Sequence, residues 1–484
     1  MKHRKAISLV LFAALISSFS ACGEGATDDV KETTGGVESA DQTETYPDYE
    51  GYKFRVLNFD TYFSSYIRVG IDEATGDILD DAVYNRNRKI EQLYGFELEE
   101  VTSPYAKWQT DQVALMDRLQ NSVMAGDDDF DAAYVQPYFK PSVLTDGYLA
   151  DLATIPELKL DEVWWDHAVN ESFTINDKLY AATGALQFMP LESVWVLLFN
   201  ESMMDELKLE YPYQLVRDGK WTLDKFYEYA QAGTRLNGDE SFDWNENGNA
   251  TYGIAGHTSI PPVIVYCSDY RFVKKSGSEY TAELASEKLF DCIEKAKKLF
   301  DQESGIAHVN NNTGDDTGGY LNVFRNRRAL FVTAGLSAVS EYRDMNDPYG
   351  LVPFPKYDEA QKDYISQAGV SIQMLAIPAT QKDMSRTGTI LEALTKESYE
   401  SVMPVYYGVR VEQKGLRNDD SIEMLKIIRD NYGLESAQVL GVTSGYIGEL
   451  TKVVTNQGDN IASLAAEYTE RVKTNLSKLI AAFD

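Results

Sequence analysis

The sequence predicts an α/β protein, and three observations carry that prediction. Between residues 52 and 136 short apolar strands alternate with longer helical patterns, each helix closed by its own stop signal. Strand-like runs return near 193, 329 and 369, again separated by helical patterns. The chain has 484 residues, 44 % of them hydrophobic, which is enough for two or three such units. Strand–helix–strand–helix–strand order with right-handed crossovers closes into a parallel sheet.

The elements come in this order. "YKFRVLNF" (52–59) is a strand. A helix over about 80–94 carries Val83, Ile90, Leu93 and Tyr94 at helical spacing, with Gly95 as its stop. "FELEEV" (96–101) reads as a strand, and a helix over about 106–124 sets Trp108, Leu115, Met116, Leu119 and Val123 on one face before Gly126. "FDAAYVQ" (130–136) is the third strand. The pair "KLYAATGA" and "SVWVLLFN" then opens a second unit. In "KWTLDKFYEYAQAG" (220–233) Thr222 is the N-cap, Asp224 suits the positive helix start, Trp221 and Phe226 stand at staple positions, and Gly233 is a stop. A long helix around 284–301, strands at "ALFVTA" and "GVSIQMLAIP", and helices from Thr387 onward complete the pattern, with no tandem repeat.

The start of the chain reads differently. Lys2, His3, Arg4 and Lys5 precede an uncharged apolar run, the layout of a secretory signal, and the run is too short to cross a bilayer of ~30 Å. "FSAC" (19–22) resembles the lipobox, with Phe19 where Leu is usual; the other reading is an ordinary signal cut near Ala21. Residues 1–21 are thus expected to be a lipoprotein signal peptide and Cys22 the lipidation site. The segment 22–49, rich in Gly, Thr, Asp and Glu, is expected to be a flexible acidic linker. The protein is then expected on the extracellular face of a cell membrane, held only by its lipid, in a Gram-positive type of cell.

Composition excludes several classes. The 76 acidic and 45 basic side chains give a net charge of −31, which disfavours nucleic acid and anionic membrane surfaces as partners. With Cys22 lipidated, only Cys267 and Cys292 remain; Cys292 falls on an apolar helix face, and a disulfide between them is an open alternative. The four histidines, and the absence of GxSxG, HExxH and GxxxxGK[ST], argue against an enzyme. A tethered glycan hydrolase using two carboxylates is the competing reading. No cofactor is expected. "DWNENGNATYG" (243–253) places Asp243, Asn245 and Asn247 as in the first half of a calcium loop, without the closing carboxylate; an Asn/Gly turn is the alternative.

In an α/β sheet ligands lie beyond the carboxyl ends of the strands, which puts Asp60, Thr61, Tyr62, Pro137 and Tyr138 on the rim. The order of segments resembles the extracellular solute-binding proteins of ABC importers, the maltose-binding-protein-like group with its Gram-positive sugar-binding lipoproteins. The resemblance rests on "FTINDKLYAATGA…SVWVLLFNESMM", "PYQLVRDGKWTLDKFYEYA", "NRRALFVTAG", "DPYGLVPFPKYDEAQ" and "QAGVSIQMLAIPATQ", and covers the chain from about Tyr52 onward. It implies a two-lobed periplasmic-binding-protein-like fold of type II. Lobe one would be 50–180 with about 366–484, whose C-terminal helices are partly shared, lobe two 181–365, and the hinges near Tyr180–Gly184 and Gln367–Ser371. It implies a monomer that closes on a carbohydrate and docks on permease subunits. Trp195 would begin the strand leaving the hinge, with Gln187 and Glu192 as hydrogen-bonding groups nearby. Tyr270, Gly335, Tyr406 and Tyr407 fall in segments that line the cleft in relatives. Leu336 and Ser337 stand where some sugar binders carry an aromatic residue.

Overall fold

The computed structural model of the chain describes residues 45–60, 68–104, 106–107, 109–312, 316–408, 416, 418–455 and 460–484. The folded body runs from Tyr46 to Asp484. In chain order its strands are β1 (Tyr52–Asp60), β2 (Phe96–Pro104), β3 (Ala132–Val135), β4 (Trp195–Asn200), β5 (Tyr252–His257), β6 (Val273–Ser276), β7 (Glu279–Ala282), β8 (Ala307–Asn310), β9 (Ala329–Gly335), β10 (Tyr349–Val352), β11 (Ser366–Gln367), β12 (Met374–Ala376) and β13 (Tyr432–Gly433).

The first sheet has the order β12-β3-β1-β2. β1 runs parallel to β2 and to β3, with Tyr52 opposite Phe96 and Val56 opposite Ala132, while β12 is antiparallel to β3. The parallel core results from the two helical crossovers, which occupy Ile78–Tyr94 and Thr110–Ala125. The carboxylate of Asp77 caps the first by accepting from the Leu79 and Asp80 N–H groups. Gly95 ends it in the left-handed region at φ 63°, where a glycine carries no Cβ penalty. Val83, Ile90 and Tyr94 are buried as their spacing predicts, but Leu93 lies on the solvent side. Trp108 lies outside the described residues.

The second sheet has the order β10-β4-β9-β5-β8, with β4 antiparallel to both neighbours and β5 parallel to both of its own. Its helix Leu223–Gly233 starts where Thr222 accepts the Lys225 N–H. Trp221 is fully buried, donates its indole N–H to the Pro353 carbonyl at 3.1 Å, and packs 5.6 Å from Phe226. Cys292 is buried on the helix Glu287–Leu299, its Sγ 3.3 Å from Ser268 Oγ, and Cys267 is buried nearby. Both thiols are free, so the open disulfide does not form, and burial pushes the Cys292 thiol up to about 11.

The segments joining the sheets are hydrogen-bonded to each other. Ala182 bridges Leu375, the Gly369 N–H donates to the Ser193 carbonyl at 3.1 Å, and β11 pairs parallel with β13. The expected strand "KLYAATGA" is reduced to single bridges at Lys178, Ala182 and Gly184, and "GVSIQMLAIP" to Met374–Ala376. These stretches spend their backbone groups on turns and crossings, which an apolar run does not announce.

The C-terminal region divides. Helix Met384–Glu397 packs on Ile78–Tyr94, beside the first sheet. Helix Asp419–Asp430 instead packs on β10, where Ser421 Oγ accepts the Leu351 N–H. Helix Tyr446–Val454 packs on Ile260–Cys267 and Glu287–Leu299. The C-terminal helices are thus distributed over both sheets, Met384–Glu397 on the first body and those from residue 419 onward on the second. An amphipathic helix encodes a buried stripe but not which body covers it. Among the described residues no helix is long and apolar enough to cross a membrane.

Candidate functional site

The third parallel strand, β3, ends where the crossing segments meet. Just beyond it, buried Gln136 donates its side-chain N–H to the Ser371 carbonyl at 2.9 Å. Gln187, also buried, donates to Gln373 Oε1 at 3.1 Å. These amides tie the strand end and the first crossing to the segment entering β12. Amide side chains suit such a place because each offers both a donor and an acceptor.

Beside this knot lies a cavity of about 830 Å³. Its aromatic walls are Trp164, Tyr399, Tyr407 and Tyr432, and Gln187 reaches it from the crossing. The sequence builds those walls through two local devices. Asp166 caps helix His167–Phe173 by accepting the Val169 N–H at 3.1 Å, which fixes the turn bearing Trp164. The other device is a π-helical turn at Ser398–Val402, preceding Pro404, which widens the helix between Tyr399 and Tyr407.

The charges around the cavity are unequal. Asp166, Glu400 and Asp430 line it against one arginine, Arg429, and His167. The hydroxyl of Tyr432 donates to the Asp166 carboxylate. Burial raises both groups above their ordinary values, the carboxyl because its anion loses hydration. The Arg429 guanidinium sits 4.7 Å from the Tyr407 ring centroid. The cavity thus offers aromatic faces with hydrogen-bonding edges, a surface for rings that are apolar on one side and polar at the rim. Its carboxylates disfavour an anion.

Of the residues expected in a ligand site, Gln187 and Tyr407 line this cavity. Tyr406 does not: its ring is fully buried and stacked on Phe188, 5.0 Å between centroids at 2°. Nor does Tyr270, which is buried with its hydroxyl donating to the Glu283 carbonyl at 2.9 Å, a contact that holds the β6–β7 hairpin. Trp195 and Gly335 face each other across β4 and β9. They form a separate corner with His257, whose ring is 5.7 Å from Trp195 and whose Nδ1 accepts the Ser259 N–H. Burial lowers the His257 pKa, which keeps that ring neutral. Glu192 is buried, and its carbonyl accepts the Ser337 N–H. Tyr138 is exposed after β3, 5.1 Å from Phe139 and outside the cavity lining. Asp60 ends β1, but its side chain, with Thr61, Tyr62 and Cys22, lies outside the described residues.

In the 243–253 loop, Asn245 Oδ1 accepts the Asn247 N–H and the Asp243 carboxylate accepts the Ser241 hydroxyl, contacts of a polar turn. Among the described residues no group of three or more His, Cys, Asp or Glu side chains is gathered as a metal ion would require. Sequence reasoning missed Trp164, Tyr399, Arg429 and Tyr432. One signal was available: "WWD" (164–166) sets two of the six tryptophans side by side in a polar stretch.

No family model matches the chain, and no curated protein sequence matches it. Its architecture does match solved structures. It is similar to an ABC substrate-binding protein from Listeria monocytogenes in complex with cycloalternan, at 14 % identity and a TM-score of 0.55, over 88 % of this chain and 99 % of that one. It is similar to an extracellular solute-binding protein from Staphylococcus aureus in complex with maltose, at 14 % identity and a TM-score of 0.57, over 88 % and 98 %. A sugar transporter protein from Rhizobium etli in an open conformation gives 15 % identity and a TM-score of 0.59, over 87 % and 99 %. The fold is therefore the two-lobed α/β fold of ABC substrate-binding proteins.

Proposed function

We propose that this protein is a lipid-anchored solute-binding protein that captures an oligosaccharide outside the cell for an ABC importer and performs no chemistry. The observation that carries this reading is the aromatic-walled cavity set against the hydrogen-bonded crossings between two α/β bodies. A ligand touching both a wall and a crossing favours whichever arrangement of the bodies completes its contacts, which is the thermodynamic content of hinge closure. Gln187 and Tyr407 are its expected contacts there. Asp60, Tyr62, Tyr138, Trp195 and Gly335 extend the same reading to the strand ends, and Cys22 supplies the anchor. The ligand class is neutral sugar, because the carboxylates around the cavity oppose uronates.

Thermal-shift screening against neutral and uronic-acid oligosaccharides tests the proposal. A neutral sugar should raise the melting temperature, since a ligand bound only by the folded state stabilises it by mass action. Release of any product from that sugar would overturn the binding reading in favour of a hydrolase. Mass spectrometry of the membrane-extracted protein should find a diacylglyceryl group on Cys22, and an unmodified terminus would overturn the anchor. A structural calcium ion at Asp243, Asn245 and Asn247 would show as a melting temperature lowered by EDTA and restored by calcium.

A further inference from the structure

Trp164 and Trp165 are neighbours in sequence, yet both indole N–H groups reach one carboxylate. Trp164 Nε1 donates to Glu392 Oε1 at 2.8 Å, and Trp165 Nε1 donates to Glu392 Oε2 at 2.9 Å. The Lys159 N–H adds a third donor to Oε2 at 3.1 Å. Glu392 is buried and comes from helix Met384–Glu397, more than two hundred residues away. An ionised carboxylate is acceptor-only, so three converging donors satisfy it in one geometry and fix both rings.

The same pair is strapped to the first crossing. Trp165 bridges Gly184, the Ala185 N–H donates to the Trp164 carbonyl at 2.8 Å, and the Asp166 N–H donates to the Thr183 carbonyl at 3.0 Å. The approach is close: a Cβ on Gly184 would lie 2.9 Å from both the Trp164 carbonyl oxygen and Trp165 Cε3. Both line the cavity, but Trp165 is buried in the core whereas Trp164 is half-buried and keeps more of its ring open to it. The Lys396 ammonium stands over the Trp164 ring at 5.5 Å from its centroid.

We infer that Trp164 is the stacking wall for the captured ring, and that Glu392 is the positioning residue that locks it, with Trp165, onto the crossing. This rests on the cavity being the solute site. A ring stacked on Trp164 then bears on a side chain whose backbone is bonded to the segment joining the two bodies, so occupancy and the setting of the crossing are linked through one carboxylate.

Two measurements on the protein decide this. In the first, 5-fluorotryptophan is incorporated and fluorine NMR resonances are assigned with Trp164→Phe and Trp165→Phe. Glu392→Ala should move both resonances, and Glu392→Gln, which keeps one acceptor oxygen, should leave one nearer its original position. A shift of neither, or of only one in Glu392→Ala, overturns the shared pin. In the second, maltotriose, cellotriose and xylotriose are titrated by calorimetry. Trp164→Phe and Glu392→Gln should each weaken the best-binding sugar by about tenfold or more. Wild-type affinity in Trp164→Phe overturns the stacking wall. Silence of all three sugars on the unmodified protein overturns the cavity reading and the stacking role with it, while the NMR result still decides the pin.

Discussion

In the first sheet β1 and β2 are consecutive in the chain and β3 comes directly after them, so one short stretch supplies three of four strands and only β12 arrives from far away. In the second sheet no two neighbouring strands are consecutive, and every pairing spans a long excursion. The contrast separates two ways of specifying a sheet. The first is written in local signals, namely helical periods, caps and stops. The second depends on buried anchors that hold remote strands in register, because loop-closure entropy must be met before such contacts form.

Removing the anchors should therefore hurt most. Trp221→Ala empties a fully buried indole site and strands the Pro353 carbonyl, so urea unfolding should report a loss of about 3–5 kcal/mol. A loss under about 1 kcal/mol would break the comparison by showing that the second sheet does not rely on this residue. The first body has its own long-range tie: Arg86 is buried and donates to the Val69 carbonyl at 2.8 Å and to Ser398 Oγ at 2.9 Å. Arg86→Met should cost about 2–3 kcal/mol by withdrawing the donors from Ser398 Oγ and Asn87 Oδ1, the Val69 carbonyl keeping its bond from the Asn87 amide.

Glu435, in the segment after β13, probes the link between the bodies. Burial pushes its carboxyl up from 4.5 to about 7, against the opposing pull of Arg271 and the N–H groups of Ala437 and Phe272. The folded chain then holds a proton that the unfolded chain has released between those values. Its contribution is present below 4.5 and lost as pH rises through about 7. Relative to Glu435→Gln, the unmodified protein should lose on the order of 2 kcal/mol between about pH 5 and pH 8, read from paired melting curves. Parallel curves would refute the assignment. The smallest effect belongs to a local signal: Thr222→Ala removes a cap accepting the Lys225 N–H and should cost about 1 kcal/mol.

The same division explains what the sequence revealed. The helices at Ile78–Tyr94, Thr110–Ala125, Leu223–Gly233 and Glu287–Leu299 were legible because period, cap and stop are local. The crossings were not, since "KLYAATGA" looks like a strand until its partners are known to be single bridges. In the candidate site Gln187 and Tyr407 were reachable from the order of segments. Tyr270 and Tyr406 stand apart from this cavity, since burial behind Glu283 or Phe188 is a tertiary fact that the order of segments does not carry. Trp164 escaped because its role depends on Glu392, which no spacing connects to it.

The π-helical turn at Ser398–Val402 has a consequence for how this protein can change. A wide turn accommodates one residue more than an α-helix does, and it sits just before two adjacent tyrosines of opposite fate, one shut against Phe188 and one open to the cavity. Deleting a single residue there would rotate the downstream helix by about 100°, bringing Tyr407 to the place of Tyr406 and Gly408 to the place of Tyr407. Chain length at that turn thus sets which side chain faces the cavity, without altering either sheet.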